Sequence, residues 1–280
     1  MKIFVTGATG FIGSHFINKA AFGEHQLVCL RRPGSKPNIK VQNEPYWVEG
    51  TLEDDWTNEL SDCDALVHLA AVGVSPQKAT RLELLKINVV ATYNLILAAI
   101  NAGIKKYLIS GSFAEYGQSG SKFEFIPTNA MLEPTTSYAA SKAAFLQLLY
   151  ALTVEEKLQV IYARIFSAFG KGQHKNNLWT SMHKAALEGS DFHLTAGEQE
   201  RDFISVENTA ELLVNALSFS NVIDGNLDVR NIGSGNAQTI REFAEYWWSE
   251  WGATGKLHFG SKPYRTNEIM RCIPMVENIK

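Results

Sequence analysis

Tyr138 and Lys142 stand four residues apart in Tyr138-Ala-Ala-Ser-Lys142, a spacing that sets both side chains on one face of a helix. A phenol beside an ammonium group is a proton-transfer pair. At about 5 Å and an effective dielectric of about 20, the cation favours phenolate by roughly 3 kcal/mol, or about two pKa units below the usual tyrosine value near 10. A phenol so tuned gives a proton to a developing alkoxide or takes one from an alcohol. Far upstream, Ile3-Phe-Val-Thr-Gly7-Ala-Thr-Gly10-Phe11-Ile12-Gly13 reads as strand, glycine turn and helix start. Gly7 permits the tight turn, Gly10 lets backbone approach a pyrophosphate, and Gly13 lets the helix lie close to the strand, so phosphate meets free N–H groups. An isolated Tyr-x-x-x-Lys is an ordinary exposed helix pair; here its weight comes from order. The glycine loop precedes it, Ser112 ends an apolar run between the two, and Pro134-Thr-Thr-Ser leads into the helix. A cofactor loop and a proton-transfer pair in one chain predict an enzyme.

The elements that must position these residues follow from periodicity. Short apolar runs at 3–6, 27–30, 46–49, 65–69, 106–110 and 159–165 alternate with helical patterns, which predicts an α/β, Rossmann-type, doubly wound parallel sheet. Residues 82–102 and 137–156 read as long helices whose apolar faces either cover the sheet or meet a twin subunit, and a homodimer is the expectation carried forward. After Phe166 the pattern loosens. Residues 1–166 are assigned to the dinucleotide-binding domain, with 226–233 returning to its sheet, and 167–225 with 234–280 to a smaller α/β substrate lobe. In that lobe Ile240, Phe243, Trp247, Trp248 and Trp251 form a helical stripe read as core.

Composition narrows the function classes. With 280 residues and 45% apolar content the chain fills a sizeable core. Its formal charge of −3, mixed along the chain, offers no basic stripe for nucleic acid and no polybasic run for a membrane surface. Cys29, Cys63 and Cys272 lack disulfide or zinc spacing, and His68, His174, His183 and His193 form no ligand cluster, so no metal is expected. The chain enters a strand at residue 3 and shows no unbroken apolar run of about 20 residues, so a soluble cytoplasmic protein is expected.

The glycine spacing resembles that of the extended short-chain dehydrogenases/reductases, the NAD-dependent epimerase/dehydratase family. His68-Leu69-Ala70-Ala71, Asn88, Ser110-Gly-Ser112-Phe-Ala-Glu-Tyr-Gly117, Tyr138 to Lys142 and Arg201-Asp-Phe-Ile resemble that family's later motifs in its order, over residues 1 to about 270. The resemblance implies that Leu69, Ala70, Ala71 and Ser110 line the cofactor cleft, that Ser112 hydrogen-bonds the reacting oxygen, and that Lys142 contacts the nicotinamide ribose. At the end of the second strand the usual carboxylate is replaced by Arg31-Arg32. Missing acid and present base favour a 2′-phosphate, hence NADP(H), with NAD(H) the alternative. Thr51 stands where the family usually has an aspartate near the adenine.

Three nucleotide-sugar reactions are implied by the resemblance. Family 4,6-dehydratases place an acid/base pair just after the catalytic Ser/Thr, where this chain has Phe113 and Ala114; Glu115 lies one residue too far along. Retained NAD suits 4-epimerases, whereas exchangeable NADPH suits net reduction. The segment from Ser112 to Gly117 also resembles nucleotide-diphosphate 4-keto-6-deoxyhexose reductases, so C4 ketoreduction is the leading expectation, an NAD-retaining epimerase the runner-up, and a non-catalytic NADP-binding regulator the third. Asn177, Leu178, Arg201 and Arg265 are the expected substrate contacts, the arginines on the diphosphate or ribose. Ser167 replaces an asparagine usual after the sixth strand.

Overall fold

Lys2–Thr6 (β1), Gln26–Arg31 (β2), Tyr46–Glu49 (β3), Ala65–His68 (β4), Lys106–Ser112 (β5), Gln159–Ile165 (β6) and Leu227–Ile232 (β7) form one sheet in the order β7-β6-β5-β4-β1-β2-β3. Every neighbouring pair in it is parallel. The computed structural model describes residues 1–21, 23, 25–266 and 268–276. Strands β1, β4 and β5 are buried along nearly their whole length, which is why they read as unbroken apolar runs rather than alternating ones. Chain order reverses between β1 and β4, leaving a crevice at their carboxyl ends.

One face of the sheet is covered by Ser137–Glu155 (α3) and by the helical run Arg81–Asn101 (α2). Thr136 starts α3 by accepting the Ala139 N–H at 3.2 Å. By length and composition α2 is apolar enough to cross a membrane, yet Val89, Leu95, Ile96 and Ala99 are spent on the core it shares with Leu146 and Leu149 of α3. Its middle, Lys86–Ala91, winds as a π-helix. The opposite face carries Phe11–Ala20 (α1) and Val206–Ala216 (α5). Leu213, Ala216, Leu217, Phe219 and Val222 join Phe16, Ile17 and Leu108 in that second core. Residues 206–222, expected in the substrate lobe, therefore belong to the main layer: the apolar side of α5 finds its partners on α1 and the sheet.

What remains of the lobe is a four-stranded sheet of Ser167–Phe169, Glu200–Ser205, Ala237–Thr239 and Arg271–Cys272, with Leu178–Leu187 (α4) and Ile240–Glu250 (α6). Thr239 opens α6 with a reciprocal capping box to Glu242. The aromatic stripe is core, as read: Phe243 stacks on Phe203 with ring centroids 3.9 Å apart, and Trp247 and Trp251 pack on Trp179.

Candidate active site

The glycine turn is shaped by backbone, not by side chains. Gly7 has φ +75°, and a Cβ there would lie 2.5 Å from Ala70 N and from the Leu69 carbonyl carbon, where the chain leaving β4 passes. At Gly13 a Cβ would fall 2.0 Å from the Gly7 carbonyl oxygen, so α1 closes on the turn only without one. At Gly10 the sole near neighbour is Gly7 O at 3.1 Å, which leaves the outer side of the turn open. Helix α1 has no side-chain cap and no acidic residue in its first turn. The N–H groups of Phe11, Ile12 and Gly13 are thus left for an anion, the condition a dinucleotide pyrophosphate fills. Leu69, Ala70 and Ala71, half-buried, flank this turn, and the Leu69 N–H donates to Thr6 O at 3.1 Å.

Along strand 2 the arrangement departs from the reading. Register pairs Arg31 with Glu49 on β3, and the guanidinium donates to Glu49 Oε1 at 2.8 and 3.0 Å while lying 5.2 Å above the Trp47 ring. Arg31 is therefore committed to a carboxylate; Arg32 is exposed and has no ion-pair partner among the described residues. Thr51 is also occupied locally, its hydroxyl accepting the Glu53 N–H.

At the carboxyl end of β5 the buried Ser112 hydroxyl accepts the Ala114 N–H at 3.2 Å and is near enough to the Tyr138 phenol to lower its pKa in part. Lys142, one turn along α3, is 3% exposed, and Ser110 is buried in the same strand end. Between Tyr138 and Lys142, Ser141 donates to Tyr138 O and accepts from Asn88 Nδ2. Asn88 also clamps both the N–H and the carbonyl of Val72. The π-turn of α2 thus ties the loop after β4 to the helix of the proton-transfer pair. His68 sits behind, with Thr6 on Nδ1 and Thr92 on Nε2. Since Thr92 Oγ1 donates to Ile87 O, it accepts from Nε2, and burial with the Lys142 cation pushes the imidazole down to about 3. It is a neutral structural residue.

The electrostatics overturn one expectation. Burial pushes Tyr138 up to about 12; the Ser112 hydrogen bond lowers it in part and the Glu115 anion adds to the rise. Lys142 is itself pushed down to about 8 by burial, with Glu115 opposing. A pairwise estimate from spacing counts the attraction between the two groups but omits the water both have lost. At neutral pH the phenol holds its proton and the ammonium its charge, so the pair is set to donate.

The lobe residues divide. Arg201 donates to Glu268 Oε1 at 2.8 Å and to Glu200 O, with 14% of its side chain exposed, and Arg265 lies close enough to lower its pKa further after burial itself. Arg201, Glu268 and Arg265 therefore converge; Arg265 alone of the two arginines is exposed and unpaired by an acid among the described residues. Asn177 is the N-cap of α4 but makes no side-chain capping bond, and Leu178 is half-buried beside it. Spacing sets Glu115 aside as one residue too far along for dehydration; it does not show that this carboxylate is fully buried against the Ser112 peptide. Only the β5–β6 register, Gly111 opposite Arg164, reveals its partner. A surface hollow lined by Lys2, Gln26, Tyr46 and Glu59 lies at the opposite, amino-terminal ends of β1 to β3.

Known proteins resemble this arrangement over nearly its whole length. The model of the NAD dependent epimerase/dehydratase family matches residues 3–233. CDP-abequose synthase of Salmonella muenchen is 24% identical over 271 residues, covering 96% of this chain and 87% of that protein. Among solved structures, a UDP-N-acetylglucosamine 4-epimerase from Methanobrevibacter ruminantium M1, in complex with UDP-N-acetylmuramic acid, superposes with a TM-score of 0.87 at 25% identity, covering 99% of this chain and 90% of the other. MoeE5 in complex with UDP-glucuronic acid and NAD gives a TM-score of 0.82 at 25% identity with the same coverage. With its glycine turn, its Ser112–Tyr138–Lys142 constellation and a match that spans the whole main sheet, the chain belongs to the NAD-dependent epimerase/dehydratase family.

Proposed function

We propose that this enzyme reduces the C4 keto group of a nucleotide-diphosphate 4-keto-6-deoxyhexose with NADPH. The observation that carries the reading is the placement of Ser112 at the end of β5 and Tyr138 in the first turn of α3, with Ser112 followed by residues that cannot dehydrate a sugar. Phe113 stacks on Phe166 with centroids 5.5 Å apart, Ala114 has no ionisable group, and Glu115 is buried. In the reaction Ser112 orients O4 of the sugar, Tyr138 gives O4 its proton, and Lys142 keeps a positive charge behind the developing alkoxide. The N–H groups after Gly10 would hold the cofactor's pyrophosphate, and Lys142 would contact its nicotinamide ribose. A reduced nicotinamide, when bound, would supply the hydride for C4. Asn177, Leu178 and Arg265 contact the nucleotide end. The likeness to CDP-abequose synthase supports a nucleotide-linked deoxysugar as substrate. A pair of copies meeting through α2 and α3 is part of this reading, supported by exposed Leu82, Leu85 and Val90 on one helix and Leu148 and Val154 on the other.

The test is NADPH oxidation with CDP-, dTDP- and GDP-4-keto-6-deoxyhexoses; consumption of NADPH with formation of a 4-hydroxyl sugar is expected. The Arg31–Glu49 pair favours a second reading, since it removes one cation from the 2′-phosphate and leaves a carboxylate nearby: a 4-epimerase that retains NAD. Purified protein carrying tightly held NAD, with sugar interconversion and no net NADPH loss, would establish that reading instead.

Two further outcomes are expected. Arg32→Ala weakens NADPH about 10-fold or more relative to NADH, as loss of a charge-assisted hydrogen bond of about 1.5–3 kcal/mol demands. Arg31→Ala changes that ratio far less, and fluorescence titration with both cofactors compares the two. Turnover falls above pH about 8, because a lysine whose pKa is depressed loses its proton early as pH rises. A kcat profile flat to pH 10 would contradict a charged Lys142 as a requirement.

A further inference from the structure

Beneath Ser112 lies a buried ion pair that the proton transfer does not use. Glu115 is 0% exposed and Arg164 on β6 is 2% exposed. Glu115 Oε2 accepts from Arg164 Nε at 3.0 Å, while Oε1 accepts the Ser112 peptide N–H at 2.7 Å and the Tyr162 hydroxyl at 2.8 Å. The arginine in turn donates to Tyr116 Oη and Thr128 O, both at 2.8 Å, and lies 4.5 Å over the Tyr116 ring. The backbone is shaped around this carboxylate: at Gly111 a Cβ would meet the Tyr162 ring at 2.3 Å and Glu115 Oε1 at 2.9 Å. A buried pair contributes little net stability, since apolar residues of the same shape often serve as well or better. Both of its oxygens are committed, so Glu115 is no proton donor to a sugar.

We infer that Glu115, held by Arg164, is a positioning residue: it fixes the Ser112 peptide, and hence the hydroxyl beside Tyr138, and supplies the anion that Lys142 needs in a dry site. The inference rests on the reading of Ser112, Tyr138 and Lys142 as the reacting constellation. The ionisable groups around Lys142 are Glu115 after β5, Tyr138 on its own helix, neutral His68 on β4, and Tyr162 on β6, whose hydroxyl also lies 3.4 Å from Lys142 O. Of these Glu115 is the one carboxylate, and it favours the charged form of Lys142 and disfavours that of Tyr138.

The experiment uses the double variant Glu115→Gln/Arg164→Met, which keeps an oxygen for the Ser112 N–H while removing both charges, and Glu115→Asp, which keeps the anion and shortens its reach. Thermal melting and cofactor titration establish that each is folded. Lys142 is titrated through its Cε signal in [13C]lysine-labelled protein, assigned with Lys142→Met, so one readout needs no substrate. The double variant is expected to lower the Lys142 midpoint by about one pH unit. It should also cut kcat about 10-fold or more with KM unchanged, whereas the aspartate variant loses turnover with the midpoint kept. Wild-type kcat and an unmoved midpoint in the folded double variant would overturn the inference. If it does not fold, wild-type turnover in the aspartate variant overturns the inference and lost turnover at a normal midpoint upholds it. Should the wild type turn over no nucleotide sugar, the proposed reaction fails, and the Lys142 midpoint in the charge-free variant still decides the role of Glu115.

Discussion

Tyr138→Phe is expected to lower kcat by about 10²–10⁴-fold, the usual contribution of a positioned general acid, while cofactor binding persists. The size of the effect follows from the site. Burial holds the phenol protonated, and among the described residues at this strand end Phe113 and Ala114 carry no acid group, His68 is locked between two threonines, and Glu115 has both oxygens occupied. The variant loses one hydroxyl and keeps the ring, so α3 and its Asn88–Ser141 clamp stay in place. Steady-state turnover beside cofactor fluorescence separates the two quantities. Retention of turnover within about three-fold would mean another group delivers the proton, since positioned acids seldom count for so little.

The second large effect is expected from Gly13→Ala. One methyl group placed 2.0 Å from Gly7 O and 2.9 Å from Ala8 Cα must push α1 off the glycine turn, because backbone and not a flexible side chain stands in the way. Overpacking of this kind costs about 1–3 kcal/mol. Most of that appears as a lower melting temperature, about 2–4 °C per kcal/mol for a chain of this size. The cofactor suffers more, since the N–H groups of Phe11, Ile12 and Gly13 move together relative to the turn; loss of two charge-assisted hydrogen bonds corresponds to about 100-fold weaker binding or worse. Gly10→Ala, with open space on its outer side, tests the geometry from the other direction: little stability is lost, and cofactor affinity falls because the new methyl stands where phosphate approaches.

Much of this site is legible in the amino-acid sequence. Six strands were readable because parallel strands buried on both faces are short apolar runs, and the glycine turn because its spacing follows one directly. Ser112, Tyr138 and Lys142 were legible through their order in the chain. What escaped depends on register or on burial. Arg31 reads as a free cation until β2 is laid beside β3 and Glu49 comes opposite. Glu115 and Arg164 are 49 residues apart and meet only through β5–β6 pairing. The Tyr138 shift changed sign because helix spacing measures proximity and says nothing about lost water. The placement of 206–216 escaped because an amphipathic helix declares that it has a buried face, not which layer receives it.

The return of Leu227–Ile232 to the outer edge of the main sheet has a consequence for anyone who would divide the molecule. A fragment stopping at residue 166 would leave β6 with a row of bare amide and carbonyl groups and strip the α5 cover from α1, a recipe for sticking to its neighbours. Chimaeras that exchange the small lobe between relatives should therefore take 167–205 and 234–276 as the portable pieces, and leave 206–232 with the sheet it completes.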